Sequence, residues 1–194
     1  GTITLGRISL SGSKVDATEH VIRDVSIIQK GEALGHGFEV DDVMLSQVFS
    51  LIGAQPKGTK SRLTHPGLSD CGGYDGIEVT LGRIRATGVS DGKVRGDLYL
   101  GEFASKTPAG DLRSYVEAIA EEDPELMGVS IVFEPDDFVE RDPDPTTGEE
   151  QLPLGRAKAV LAADLVGDPA ANRDGLLSRL PQRVLSSIPS DLKN

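Results

Sequence analysis

The chain is poor in the residues that mark several classes of function. It holds a single cysteine, Cys71, so no disulfide can form within it. None of its apolar stretches runs uninterrupted for the ~20 residues a membrane helix needs, and no segment has the layout of a signal peptide. A soluble protein of a reducing compartment is expected. Lys and Arg number 20 against 31 Asp and Glu, a formal net charge of −11, and the basic residues never gather into a run. Such a chain repels a phosphate backbone, which argues against nucleic acid as a direct ligand. HExxH and CxxC are both missing and the three histidines stand far apart, so zinc chemistry has no support. No motif calls for any other cofactor.

What is there suffices for one domain with its own core, since 194 residues need no disulfide or metal staple. Residues 1–180 are expected to form that domain and 181–194, "PQRVLSSIPSDLKN", a tail. "TITLGRISLS" alternates as a strand with a break at Gly6 and Arg7, and a short strand is expected over residues 25–28. "VDDVMLSQVFSLIGA" reads as a helix. Asp41 or Asp42 would cap it, Val43 or Met44, Val48, and Leu51 or Ile52 would share a stripe, and Gly53 would stop it. "IEVTLGRIRATGV" and "KVRGDLYLG" are period-two runs joined by Ser90-Asp91-Gly92, a hairpin signal because Gly accepts positive φ.

"TPAGDLRSYVEAIAEEDPEL" is the strongest helix pattern, expected to start with Thr107 as cap and Pro108 in the first turn, and to end at Pro124. The strand "LMGVSIVFE" follows directly. Residues 135–153 are polar and Pro-rich, an exposed loop whose acids match no EF-hand spacing. "RAKAVLAADLV" is a further strand, and Asp168-Pro169 would cap a short helix running to Leu180. The order of elements points to an α+β fold built on an antiparallel β-barrel or a strongly bent sheet with flanking helices.

Three residues carry the chemistry. In "MGVSIVF", strand alternation sends Met127, Val129, Ile131 and Phe133 to one face and Gly128, Ser130 and Val132 to the other. Ser130 then sits beside the open space of Gly128, as a nucleophile or as a core serine bonded to a carbonyl. His65 in "SRLTHPG" precedes Pro66, which favours extended backbone, and an imidazole can take a proton from a serine near neutral pH. Asp164 stands inside the apolar run "AVLAADLV", where an ionised carboxylate needs a partner. A histidine N–H would serve, as in a Ser-His-Asp array; local backbone N–H groups would serve as well.

Taken in order, "RLTHPG", "TLGRIRA", the hairpin into "GDLYLG", "DPELMGVSIVF" and "AADLVGDPAANRDGLL" resemble the prohead (capsid maturation) proteases of tailed bacteriophages. These share a fold and a nucleophilic serine with the herpesvirus assembly proteases. The resemblance spans residues 40–177. It implies a herpesvirus-protease-like fold and a serine endopeptidase with Ser130 as nucleophile, His65 as general base and Asp164 as third member. Many relatives carry a glutamate and a serine where this chain has Ala162 and Asp164. It further implies that the substrates and partners are the phage major capsid protein and scaffold protein, with self-cleavage and homo-oligomer formation, in the host cytoplasm inside the assembling procapsid. No cofactor is implied. Some relatives continue into a C-terminal scaffold segment, and the tail reads as the start of one.

Two other readings stand beside this one. Cys71, in the Gly-rich "LSDCGGYDG" six residues after His65, would be a more easily activated nucleophile, although nothing supplies it with a third residue. A non-enzymatic capsid-associated scaffold or structural module would treat Ser130 and Asp164 as satisfied interior polar groups.

Overall fold

The computed structural model describes residues 2–4, 8–9, 14–33, 36–64 and 76–167. In chain order these form strands β1 (Ile3–Thr4), β2 (Ile8–Ser9), β3 (Lys14–Asp16), β4 (Val21–Gln29), β5 (Gly31–Ala33) and β6 (Phe38–Val40), helix α1 (Asp42–Gly53), strands β7 (Thr59–Arg62), β8 (Thr80–Ser90) and β9 (Lys93–Leu100), helix α2 (Leu112–Glu122), and strands β10 (Met127–Pro135) and β11 (Ala157–Gly167).

The hairpin forms where Ser90-Asp91-Gly92 signals it. Asp91 and Gly92 take φ of 53° and 67°, the left-handed pair that matches the twist of a two-residue hairpin loop. β8 and β9 then zip antiparallel from Ser90↔Lys93 to Gly82↔Leu100. Val94, Leu98 and Leu100 are buried as their alternation requires. Gly82 punctuates β8 for a steric reason: its φ is 158°, and a Cβ there would lie 1.9 Å from the Tyr99 carbonyl oxygen. With β4, β3 and β7 added, this sheet has the order β3-β4-β9-β8-β7. The strand expected over residues 25–28 extends to nine residues as β4, with a bulge between Ile22 and Val25.

A second sheet puts β10 in the middle, with β11 along one edge and β1 and β2 both along the other. The break expected at Gly6 and Arg7 therefore falls between two short strands that pair with the same neighbour. β5 and β6 form a small third sheet. Glu39 of β6 is bonded through its backbone to residues 153 and 155, and Val139 and Leu154 exchange hydrogen bonds of 2.8 and 3.0 Å. Those contacts hold the two ends of the polar loop while residues 142–150 stay largely exposed.

The fold is sheet-dominated with two α-helices, and the barrel alternative does not hold among the described residues. Strand pairs divide into three sheets, and the two larger ones meet at a corner where Leu63 forms a parallel bridge to Leu165. Bulges in β4, β8 and β11 bend the sheets instead of closing them. One buried cluster runs through both large sheets and both helices, from Ile22 and Leu98 to Phe38, Met44, Val116, Ile131 and Leu165.

Asp41 opens α1, accepting the Met44 amide at 2.9 Å, and Met44, Leu45, Val48 and Ile52 are buried. Val43 faces out, 51% exposed, so Met44 and Ile52 occupy the inner stripe. α2 starts later than expected. Thr107 does not cap it; its hydroxyl bonds to the Gly110 carbonyl within a turn at 2.8 Å, and Gly110 adopts a φ of 106° that interrupts any helix. Asp111 is the cap, accepting from both the amide and the hydroxyl of Ser114. Replacing Asp111 with Ala should therefore lower the midpoint of a urea unfolding curve, and Thr107→Ala should lower it less.

Candidate active site

β10 is a central strand, and both of its faces are covered. Val129, Ile131 and Phe133 are buried on one face as expected, but Gly128 and Ser130 on the other face are buried too. Ser130 is 2% exposed and Asp164 is fully buried. The register sets Ser130 directly opposite Asp164 across the β10–β11 pair. Opposed residues of antiparallel strands project from the same face with their Cβ atoms about 5 Å apart. The hydroxyl and the carboxylate, 34 positions apart in sequence, are thus immediate neighbours.

The partner that Asp164 requires is Arg62, at the end of β7. Its backbone amide and Nε both donate to Oδ1 at 3.0 Å, and Nη2 donates to Oδ2 at 2.6 Å. The arginine side chain is 11% exposed. A carboxylate offers about four acceptor sites, so these three bonds leave capacity for one more donor. The backbone N–H among these donors is not a local one: it belongs to Arg62, 102 positions away, and arrives with a guanidinium.

Two further contacts fasten the same corner. Thr64, with φ of 66°, donates its amide to the Leu165 carbonyl at 2.6 Å, and the Leu63 amide donates to the Val79 carbonyl at 2.8 Å. Leu165 follows Asp164 and pairs across the sheet with Val129, which precedes Ser130. The first described half of "SRLTHPG" therefore lies against the strand of Asp164, one residue along from it. His65, the next residue after Thr64, lies outside the described residues, as do Cys71 and the helix expected after Asp168.

The chain is similar in structure to the bacteriophage T4 capsid assembly protease, gp21, with 13% sequence identity and a TM-score of 0.46 over 87% of this chain and 98% of that one. An overlap at this level assigns no residue a role. No protein-family model matches the chain, and no curated protein matches it.

Other charged side chains are engaged elsewhere. Arg156 clamps the capping carboxylate of Asp41 with bonds of 2.9 and 3.1 Å; it stands eight residues before Asp164, roughly 25 Å along the strand direction. Burial by itself raises the Asp41 carboxyl, yet the Met44 amide and Arg156 outweigh it and hold the group below the ordinary aspartate range. Arg83 donates to the Gly58 carbonyl at 2.9 Å, and Arg85 lies 4.9 Å from the Tyr99 ring centre. His20 is hydrogen-bonded to Glu117 at 2.7 Å. No three of His, Cys, Asp and Glu converge on a possible metal position among the described residues, and no helix among them is long and apolar enough to cross a membrane.

Sequence reasoning missed Arg62. The signal was present: an acid inside an apolar strand calls for a cation, and "SRLTHPG" carries one three positions before the histidine.

Proposed function

We propose that the chain is a serine endopeptidase that cleaves scaffold and capsid proteins, and itself, during maturation of a phage procapsid in the host cytoplasm. Residues 1–180 would form the protease domain. One observation supports this reading above the others: three segments far apart in sequence, ending at Thr64, centred on Ser130 and centred on Asp164, converge on one corner of the fold. A nucleophile, a base and an acid have to meet in this way. His65 follows Thr64 in sequence.

The chemistry is acyl transfer. His65 takes the proton from Ser130 Oγ as the oxygen attacks a peptide carbonyl, and the resulting imidazolium is stabilised by Asp164. The same proton passes to the departing amine, leaving an acyl-enzyme on Ser130. Water, deprotonated by His65, then attacks the ester, and the proton returns to Oγ. The rigid β10–β11 pair contributes a fixed Ser–Asp geometry, so little reorganisation is needed at the moment of reaction.

A second reading, a non-enzymatic capsid-associated module, is favoured by one observation: Ser130 is only 2% exposed, a common state for a satisfied interior serine. A fluorophosphonate probe separates the two readings. Under native conditions it should attach to Ser130, found by peptide mass, and not attach to Ser130→Ala. Absence of label on the folded wild-type chain, alone and co-assembled with its capsid and scaffold proteins, would leave the structural module standing.

A further inference from the structure

We infer that Arg62 is a positioning residue of this site: it fixes the carboxylate of Asp164 and the backbone at Leu63 and Thr64 relative to Ser130. The inference rests on the protease reading and adds a residue to it.

Burial first shows that Arg62 is held, and not merely present. Along β7, Thr59 is buried, Lys60 exposed and Ser61 buried, so alternation puts Arg62 on the face of Lys60. The β7–β8 register slips beside it, with Leu81 of β8 as the extra residue, so β7 itself stays regular. Where the chain reaches β11 at Leu63 and Thr64, that face is covered, and the Arg62 side chain is only 11% exposed.

The contact is specific in geometry as well as charge. Nε and Nη2 form a two-pronged fork on the two carboxylate oxygens, and the residue's own amide adds a third bond. A planar guanidinium fixes the plane of a carboxylate in a way that a lysine ammonium does not. With those bonds in place, Asp164 can accept a further donor from only a narrow range of directions. The main chain just past Arg62 is fastened to β11 by the Leu63–Leu165 bridge and the Thr64 amide. Side chain and backbone therefore form one clamp between the end of β7 and the strand facing Ser130. A displacement of about 1 Å in such a support can cost on the order of 100-fold in rate.

The test is saturation kinetics of fluorophosphonate attachment to Ser130 in the full chain, comparing wild type with Arg62→Lys at a temperature where circular dichroism shows both folded. Lysine keeps the charge and removes the fork. The expected result is a maximal rate lower by about 10- to 100-fold with an unchanged half-saturating probe concentration. A maximal rate equal to wild type would make Arg62 a stability staple only, overturning the inference while the protease reading stands. No labelling of wild-type Ser130, alone or co-assembled, would overturn both.

Discussion

Ser130→Ala is expected to abolish discrete cleavage of scaffold protein, capsid protein and the chain itself, with a rate loss of roughly 10⁴-fold or more. The loss is that large because the hydroxyl forms the covalent bond, and water attacking the peptide directly lacks its fixed position. His65→Ala should fall to a similar level, and the double variant no further, since the two groups act in one step. Cys71→Ala should cleave like wild type. The measurement is intact mass after co-expression with the matching capsid and scaffold proteins. Because Ser130 is buried, the variant must also be shown to fold. Alanine keeps the β-carbon and its packing, so its melting point should remain within about 4 °C, the shift from about 1 kcal/mol in a chain of this size. Persistent, unchanged products in a folded Ser130→Ala would end the proposal.

Much of the scaffold around this corner was legible in the sequence because it is specified locally. Asp91-Gly92 sets the hairpin by its own backbone preference, and the apolar stripe of α1 picks its buried face within a few turns. Thr107 misled because a Thr-Pro pair suits a turn as well as a helix start. What decided between them was Gly110 and the better acceptor at Asp111, which satisfies two donors of Ser114. Sheet assembly was less legible. Whether β7 to β11 close into a barrel depends on which edges meet, and a single parallel bridge at Leu63 leaves no periodic trace in the chain.

The site divides along the same line. Ser130 and Asp164 stood out by their residue types within apolar strands, yet their pairing depends on a register between segments 34 positions apart. Burial of the Ser130 face was likewise hidden. Alternation tells which residues share a face but not whether that face is covered, because the cover comes from elements packed on it from elsewhere in the chain. Arg62 was hidden in the same way: alternation puts it on the face of exposed Lys60, and only the approach of β11 at Leu63 and Thr64 covers that face at its end.

The largest loss of stability is expected from Asp164→Ala. It leaves the Arg62 guanidinium, 11% exposed, without its counter-charge, and breaking a buried ion pair from one side costs about 3–5 kcal/mol. At about 2–4 °C per kcal/mol for a chain of this length, the melting point should fall by about 10 °C. Arg62→Met with Asp164→Leu removes both charges and fills the space with apolar groups, a change that is often neutral or stabilising; this double variant should melt close to wild type. A cost below about 1 kcal/mol for Asp164→Ala would mean that water reaches the pair and screens it as at a surface. The double variant also separates the two uses of the carboxylate. If the pair exists only to hold β7 against β11, a chain with the apolar substitutes should keep a reactive Ser130 along with its stability. If Asp164 serves the serine, the double variant should be as well folded as wild type and chemically silent, because packing can replace an ion pair but not a charge that an imidazolium needs beside it.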